Sequence, residues 1–402
     1  MGGAELNKSW GTIQGEEGVG PGATAGTFLV PPQNRPACSP RVIHLRSLQE
    51  LRAAAAAWDD LWQRSEVTFP TMRAELLAQW VEHFASDVQF HAIAIEQEGR
   101  WAAALPLIQR KIGRLIPSGV LPCNQWSSCG DFLLDTSNSP DQAADLLCLT
   151  LTQCRWPLLW LDETIFPSSR WQTFKLAIDG IVPKCFLRPR WQVGRVRIQG
   201  DWQSYQASWS RKHRQHMSWS ARQLARQGEV RLVLHSRFGP GEAASLMRHA
   251  LEIEDLGWKH RAGGSILSAP GMSDFFIRQA EQLAAWGQLE MVFLYCGSRS
   301  IAFVYGQSAK GIFHSAKIGY DPEYARFSPG QLLRYFLFER FHAEAGRVAL
   351  DFLGPLTEAH AHWRPETYTV SRLAAALNPL GRMALWAYKH WPNRHYFRLY
   401  ML

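Results

Sequence analysis

The chain has 402 residues, more than one hydrophobic core ordinarily supports, so its length favours two domains of ordinary size. Apolar residues make up 46% and charged residues 19%, with 18 Trp, which excludes a largely disordered chain and points to aromatic-lined cores or grooves. The net charge of +8 is local: Arg211, Lys212, Arg214, Arg222 and Arg226 have no acid among them, and residues 367–402 carry basic residues and no acid; this suits particular anionic contacts such as a phosphorylated cofactor, a nucleotide-linked substrate or a membrane surface.

Residues 1–40 are rich in Gly, Pro and small residues without an apolar period. They read as a disordered tail, and they lack the basic start and apolar stretch of a secretory signal. Order is expected from Arg41. Residues 48–63 and 71–84 read as helices, the second placing Leu76, Leu77, Trp80 and Phe84 at helical spacing after Pro70. Residues 88–95 and 101–108 read as strands joined by the turn Glu96-Gln97-Glu98-Gly99. A helix over 141–154 and an apolar strand over 157–161 follow. The run 146–161 is broken by Gln153, Arg155 and Pro157, so it falls short of the roughly 18 apolar residues of a membrane span.

The same order returns in the second half. Helices are expected over 243–256 and 272–286, strands over 289–296 and 300–308 joined at Gly297-Ser298-Arg299, a further strand over 311–319, a helix over 329–345 and a strand over 348–353. Laying Gly99-Arg100 over Ser298-Arg299 brings the two hairpins into register although few letters match. This predicts an α/β fold of two tandem halves, residues 41–198 and 199–402, each a mixed twisted sheet flanked by helices.

Residues 210–228 form a basic amphipathic helix. Met217, Ala221 and Leu224 mark its apolar stripe, Arg211, Arg214, Arg222 and Arg226 decorate the rest, and Gly228 supplies the C-cap. It is either a solvated face or an anion contact for a phosphorylated cofactor or nucleotide-linked acceptor. Nucleic acid is the lesser reading, because Trp202, Tyr205, Trp209 and Trp219 show no RNA-binding arrangement. The aromatic runs 385–391 and 396–400 mix with Arg and Lys, as at a packed edge or a peripheral membrane contact; Pro392 favours the packed edge. The seven cysteines are scattered and free of CxxC or Cys/His ligand spacing, so they are read as reduced thiols and no metal is expected. The expected compartment is the cytoplasm, with contact to the inner face of the membrane left open.

Ser328-Pro329-Gly330-Gln331 stands immediately before an apolar helical run. Ser at N-cap, Pro at N1 and Gln at N3 predict a capping box, and Gly330 opens the N–H groups of Gly330, Gln331 and Leu332 to a ligand. A helix start of this kind favours an anion by roughly 0.3–1 kcal/mol. The plain alternative is a well-capped helix.

Tyr320-Asp321-Pro322-Glu323-Tyr324, then Ser328-Pro329-Gly330, a helix, and Leu350-Asp351-Phe352-Leu353-Gly354 resemble the acetyltransferase-like domain of CelD-type cellulose-biosynthesis proteins, relatives of the FemAB transferases within the GNAT superfamily. Ser210-Arg211-Lys212-His213-Arg214, the segment Glu254-Asp255-Leu256-Gly257-Trp258-Lys259 and the entry Gly287-x-Leu289 extend the resemblance over residues 202–354. It implies acetyl-CoA or another acyl-CoA as co-substrate, its pyrophosphate near Ser328, Gly330, Gln331 and Leu332, and a sheet splayed beside that helix for the pantetheine arm. Arg211, Lys212, Arg214, Trp258 and Lys259 are the expected anion or acceptor contacts. The sequence departs from the family at Pro355-Leu356-Thr357-Glu358-Ala359-His360, where Glu358 stands for the family's acid and Ala359-His360 replaces its Tyr-Lys pair. Of the fuller glycine-rich pyrophosphate signature of simpler GNAT enzymes, only Arg326 and Gly330 are near.

Acyl transfer needs a base for the nucleophile and a group that polarises the thioester carbonyl. The candidates are His314, Glu254 with its neighbour Asp255, and Asp351. Period-2 alternation groups His314 with Ile312, Ala316 and Ile318, opposite Phe313, Ser315 and Lys317; so apolar a face suits a core histidine as well as a base. Asp351, between Leu350 and Phe352, must be paired or functional. No Ser-His-Asp or Cys-His arrangement points to a covalent intermediate. The expected activity is transfer of an acyl group, acetyl by preference, to an amine or hydroxyl of a cell-envelope or exopolysaccharide precursor such as a sugar nucleotide. The alternatives are FemAB-like aminoacyl transfer from a charged tRNA and a non-catalytic partner of a polysaccharide-synthesis complex.

Overall fold

The computed structural model describes residues 39–166, 168–257 and 264–390. The expected tail, Trp258, Lys259 and the aromatic residues after His390 lie outside the described residues. In the first half, β1 (Arg41–Leu45) leads into α1 (Leu48–Ala53), α2 (Ala55–Arg64) and α3 (Ala74–Phe84). The hairpin β2 (Phe90–Gln97) and β3 (Arg100–Ile112) comes next, then β4 (Ile116–Val120), β5 (Leu133–Leu134), α4 (Pro140–Thr152), β6 (Leu158–Phe166), α5 (Ser169–Ile181) and β7 (Cys185–Arg197). The second half runs α6 (Trp202–Ala207), α7 (Arg211–Ala225), β8 (Val230–His235), α8 (Glu242–Asp255) and α9 (Met272–Ala285). It continues with the hairpin β9 (Leu289–Cys296) and β10 (Arg299–Ala309), β11 (Ile312–Tyr320), α10 (Pro329–Ala343), β12 (Ala349–Asp351), α11 (Glu358–Ala361), β13 (Glu366–Ala376) and α12 (Pro379–His390). The single helix expected over 48–63 is two, because Ala54 at φ −93°, ψ 7° interrupts the helical backbone. The helix expected from residue 71 starts at Ala74, after a 3-10 turn over Pro70–Met72 and an extended Arg73.

The strands form one mixed sheet in the order β1-β2-β3-β4-β6-β13-β7-β12-β11-β10-β9-β8, with β5 added on β3. Read inward from its two edges, the order repeats. β1-β2-β3-β4 and β8-β9-β10-β11 are antiparallel, and each run then gains a parallel neighbour, β6 on β4 and β12 on β11. The duplication is therefore written in the pairing. At the centre the halves exchange strands: β7 pairs with β12, β13 pairs with β6, and the two pair with each other from Ala375↔Cys185 to Glu366↔Arg195.

Alternation along the strands divides the core. Ala92 and Ala94 in β2 and Met291 and Phe293 in β9 face a cluster that runs across both halves under α1–α3, α8 and α9. Ile93 and Ile95 face a second cluster under α4 and α5, while Val292 and Leu294 face a third under α7 and α10. Three buried Trp rings anchor the first two clusters with their N–H groups satisfied: Trp58 donates to the Met72 carbonyl and Trp80 to the Ser127 carbonyl, both at 2.8 Å, and Trp171 to Asp131 at 2.9 Å. Truncating any one to Ala removes roughly 3–5 kcal/mol of packing. At the described end of the chain, Leu385 and Tyr388 of α12 are buried, Tyr388 stacking on Phe186 at 5.6 Å. No helix among the described residues is long and apolar enough to cross a membrane.

Candidate active site

The site begins where the sheet opens. β12 pairs with β11 only at Ile312↔Ala349, Phe313↔Leu350 and His314↔Asp351, and β11 then continues to Tyr320 bonded to β10 alone. Tyr305 faces Lys317 but Gly306 faces Ser315, so Ala316 is the extra residue of a β-bulge. The bulge corrects the simple alternation: Ile318 packs with Phe313 on the α7 and α10 side, and Ala316 packs on the other. The expected splayed sheet is present, with α10 beside the gap.

The start of α10 differs from the expected capping box. Ser328 takes a left-handed conformation, φ 54° and ψ 53°, and its side chain makes no cap hydrogen bond. Its carbonyl accepts from the N–H groups of Gln331 and Leu332 at 2.9 and 3.0 Å, and Gln331 Oε1 accepts from Trp363 Nε1 at 2.8 Å. A left-handed N-cap aims its hydroxyl away from the helix axis, which is why the box fails. Of the three N–H groups read as open, Gly330 alone lacks a hydrogen-bond partner among the described residues. A Cβ on Gly330 would meet only Ile318 and Tyr320 at an unstrained 3.7 Å, so the fold does not demand glycine there.

A cleft of about 640 Å³ opens over this helix start, walled by Glu254 of α8, Ile318 to Tyr320 of β11, and Ser328, Gly330 and Arg334. Glu254 is buried and accepts from the Ile266 N–H at 3.0 Å. The basic helix α7 runs alongside, His216 Nε2 lying 3.2 Å from Ser328 Oγ. Arg211 and Lys212 are exposed, whereas Arg214 donates to the carbonyls of Ala207 and Trp209 and so closes the end of α6.

His314 and Asp351 are brought together at the apex of the splay, below the open space. His314 Nε2 is 3.2 Å from the Thr68 carbonyl and its ring lies on Phe69, with centroids 4.4 Å apart. Burial pushes its pKa down to about 4, against the pull of Asp351, so the ring is neutral. Asp351 accepts from Arg195 Nε and the Leu353 N–H, both at 2.9 Å, and from Tyr368 at 3.2 Å. Glu254 stands apart from this pair, on the cleft wall.

Beyond the apex lies a larger groove of about 790 Å³ between the two halves, and Ile318 and Arg334 line both spaces. Glu163, within β6 and at φ 64°, lines the groove and accepts from Ser128 Oγ. Burial raises its carboxyl to about 7. Neither Glu163 nor Arg334 was singled out from the sequence. Signals existed: an Asp162-Glu163 pair closing an apolar strand, and an arginine at the helical-period position shared with Phe338 and Phe341.

The first half repeats the strand pairing and the helix start. Ser139-Pro140-Asp141-Gln142 begins α4 as Ser328-Pro329-Gly330-Gln331 begins α10, with Ser139 likewise left-handed. Beyond Val120, where β4 leaves β6, a space of about 20 Å³ is lined by Trp80 and Trp160 and by no residue of the α4 start.

Residues 211–364 match the family described as Acetyltransferase (GNAT) domain. The matched span runs from α7 through the cleft at the start of α10 to the turn after α11, so it includes the splay, the helix start and Arg334. In structure the chain is similar to FemX, with TM-score 0.57, 10% identity, and 85% of this chain and 99% of that one covered. It is also similar to a conserved protein of unknown function from Bacteroides thetaiotaomicron VPI-5482, with TM-score 0.51, 11% identity, and 82% and 97% covered. At such identities the likeness is one of fold alone: a mixed α/β sheet flanked by helices. No curated protein matches the chain in sequence.

Proposed function

We propose that the chain is an acyl-CoA-dependent acyltransferase that seats its donor in the cleft at the start of α10 and receives its acceptor from the groove between the halves. The observation that carries this reading is Gly330, whose unbonded N–H and absent side chain leave a helix start open to an anion, inside a cleft large enough for an extended ligand. The acyl thioester supplies an activated carbonyl. β11 beyond His314, paired on one side only, offers backbone N–H groups to polarise it. The acceptor's nitrogen or oxygen forms the new bond to the acyl carbon, the C–S bond breaks, and the thiolate leaves. The nucleophile's proton goes to a base. Among the carboxylates Glu163 suits that task, since burial holds it near neutrality on the groove wall, whereas Glu254 is already bound to the Ile266 N–H. His314, neutral and enclosed, and Asp351, held by Arg195, act in this reading by setting the geometry of the splay.

Residues 41–198 then serve as a structural partner that supplies the groove's far wall. The CelD-type resemblance favours acetyl transfer to an amine or hydroxyl of an envelope or exopolysaccharide precursor. Calorimetry with CoA and a thiol-release assay with acetyl-CoA over a panel of amines and sugar nucleotides test the reading. CoA binding in the micromolar range with acceptor-dependent release supports it; no CoA binding sinks it in favour of a non-catalytic partner. The exposed cations of α7 favour aminoacyl transfer from charged tRNA as a second reading, and competition between tRNA and CoA at low salt separates the two.

A further inference from the structure

We infer that Arg334 is a built binding subsite for a carboxylate carried by the acceptor, at the point where the donor cleft meets the groove. This rests on the donor and acceptor assignments above. Arg334 is 7% exposed, on the second turn of α10, and it lines both spaces. Its Nη2 donates to His360 Nε2 at 3.2 Å, and the guanidinium lies 5.1 Å from the Phe352 ring centre. Its Nε–H is buried without a partner, and no carboxylate among the described residues pairs with it. The other arginines that line the groove are matched: Arg190 and Arg372 both hold Asp162. Burial without a counterion lowers the Arg334 pKa to about 10.

A buried cation without a counter-charge is costly, and guanidinium cannot escape the cost by losing its proton near neutrality. An anion arriving from the groove relieves it. Arg334 presents a planar fork that suits two oxygens of one carboxylate. A phosphate dianion would ask for a second cation, and the groups against the guanidinium are the ring of Phe352 and His360, which burial holds neutral with a pKa of about 4. The donor's pyrophosphate, by contrast, belongs at Gly330, one helical turn nearer the helix start. The structure therefore selects an acceptor bearing a carboxylate close to its nucleophile, such as an amino acid or a sugar acid.

The test uses the full chain with CoA at saturation and reads melting temperature against acetate, acetamide, inorganic phosphate, glycine and glucuronate at matched ionic strength. Acetate is expected to stabilise the wild type in a dose-dependent way, acetamide not, and phosphate less than acetate; glycine against glucuronate tells an amino acid from a sugar acid as the source. In Arg334→Gln the acetate response is lost, the ligand-free melting temperature is unchanged or higher because an uncompensated charge has gone, and the CoA Kd stays within about twofold. Arg334→Lys keeps part of the response. Equal effects of acetate and acetamide on the wild type overturn the proposal without any variant. So does an Arg334→Gln chain that melts lower yet keeps its acetate response, which makes the residue structural. A CoA Kd raised tenfold or more moves Arg334 to the donor and overturns the acceptor assignment, while CoA binding by the wild type keeps the donor reading separate.

Discussion

Ser139 and Ser328 occupy the same place in the two halves, each left-handed, with φ 43° and 54°, immediately before the proline that starts α4 or α10. After that shared start the halves part. The second residue of the helix is Asp141 in one and Gly330 in the other, and Gln142 accepts from Gln97 at 3.2 Å where Gln331 accepts from Trp363. An acid at the second position favours the helix dipole and repels a phosphate, so the start of α4 is the less suited of the two to an anion.

Gly330→Asp gives the start of α10 the residue type that the first half carries at that position. The backbone is not strained there and a Cβ fits, so thermal stability should stay within about 0.5 kcal/mol or rise slightly. CoA affinity should fall at least tenfold by calorimetry. An unchanged Kd would remove this helix start from the donor site.

The hairpins, the helix after Pro329 and the strand around Asp351 were legible because their signals are local: alternation, a turn, a proline followed by an apolar period. The exchange of β7 and β13 was not, since those strands find partners far along the chain and neither carries a local mark of which neighbour it will take. The bulge at Ala316 defeated the face assignment beyond Ala316, because one extra residue inverts every later position. Ser328 looked like a cap by residue type, but its left-handed backbone, a tertiary outcome, turned the hydroxyl towards His216. His314 and Asp351 were found as candidates from residue type alone; that they meet across two strands follows from the parallel register of β11 and β12.

Glu163 gives a pH signature. Its folded-state pKa of about 7 lies above the ordinary 4.5, so the native protein holds this proton more tightly than the unfolded chain does. The stability this confers is complete below about pH 4.5 and is lost as pH rises through 7. Glu163→Gln mimics the protonated group. Discounted for partial solvent access, the variant should exceed wild type by about 2 kcal/mol at pH 8.5 and match it near pH 5 in urea unfolding. A gap between the two that is constant across that range would show that the carboxyl is not perturbed.

Asp351 is fully buried and tied to Arg195, Leu353 and Tyr368, which predicts a positioning role. Asp351→Asn keeps the shape and loses the ion pair, at a cost of roughly 2–3 kcal/mol. Below the melting transition, kcat per folded molecule should remain within about threefold of wild type. A hundredfold loss of kcat at full stability would instead make Asp351 part of the chemistry.

Helix α7 carries no acid and runs beside the cleft at the start of α10. His216 touches Ser328, and Arg211 and Lys212 sit one turn earlier on the same helix, exposed. Like charges crowded on one helix repel, and a passive surface ordinarily relieves this with interspersed acids. An anionic ligand relieves it as well, and Arg214 is already engaged by the carbonyls of Ala207 and Trp209. Replacing Arg211 and Lys212 with Glu puts acids in the first turn of α7, where the dipole welcomes them, so the melting temperature should hold. If these cations attract the donor's phosphates, the KM for acyl-CoA should rise several-fold and its salt dependence should flatten, with kcat unchanged. Reversal of Arg222 and Arg226, at the far end of α7, changes net charge equally but should leave KM close to wild type. Equal effects from both ends would mean that the helix acts only through the overall field of the protein, and no effect from either would leave α7 a solvated face.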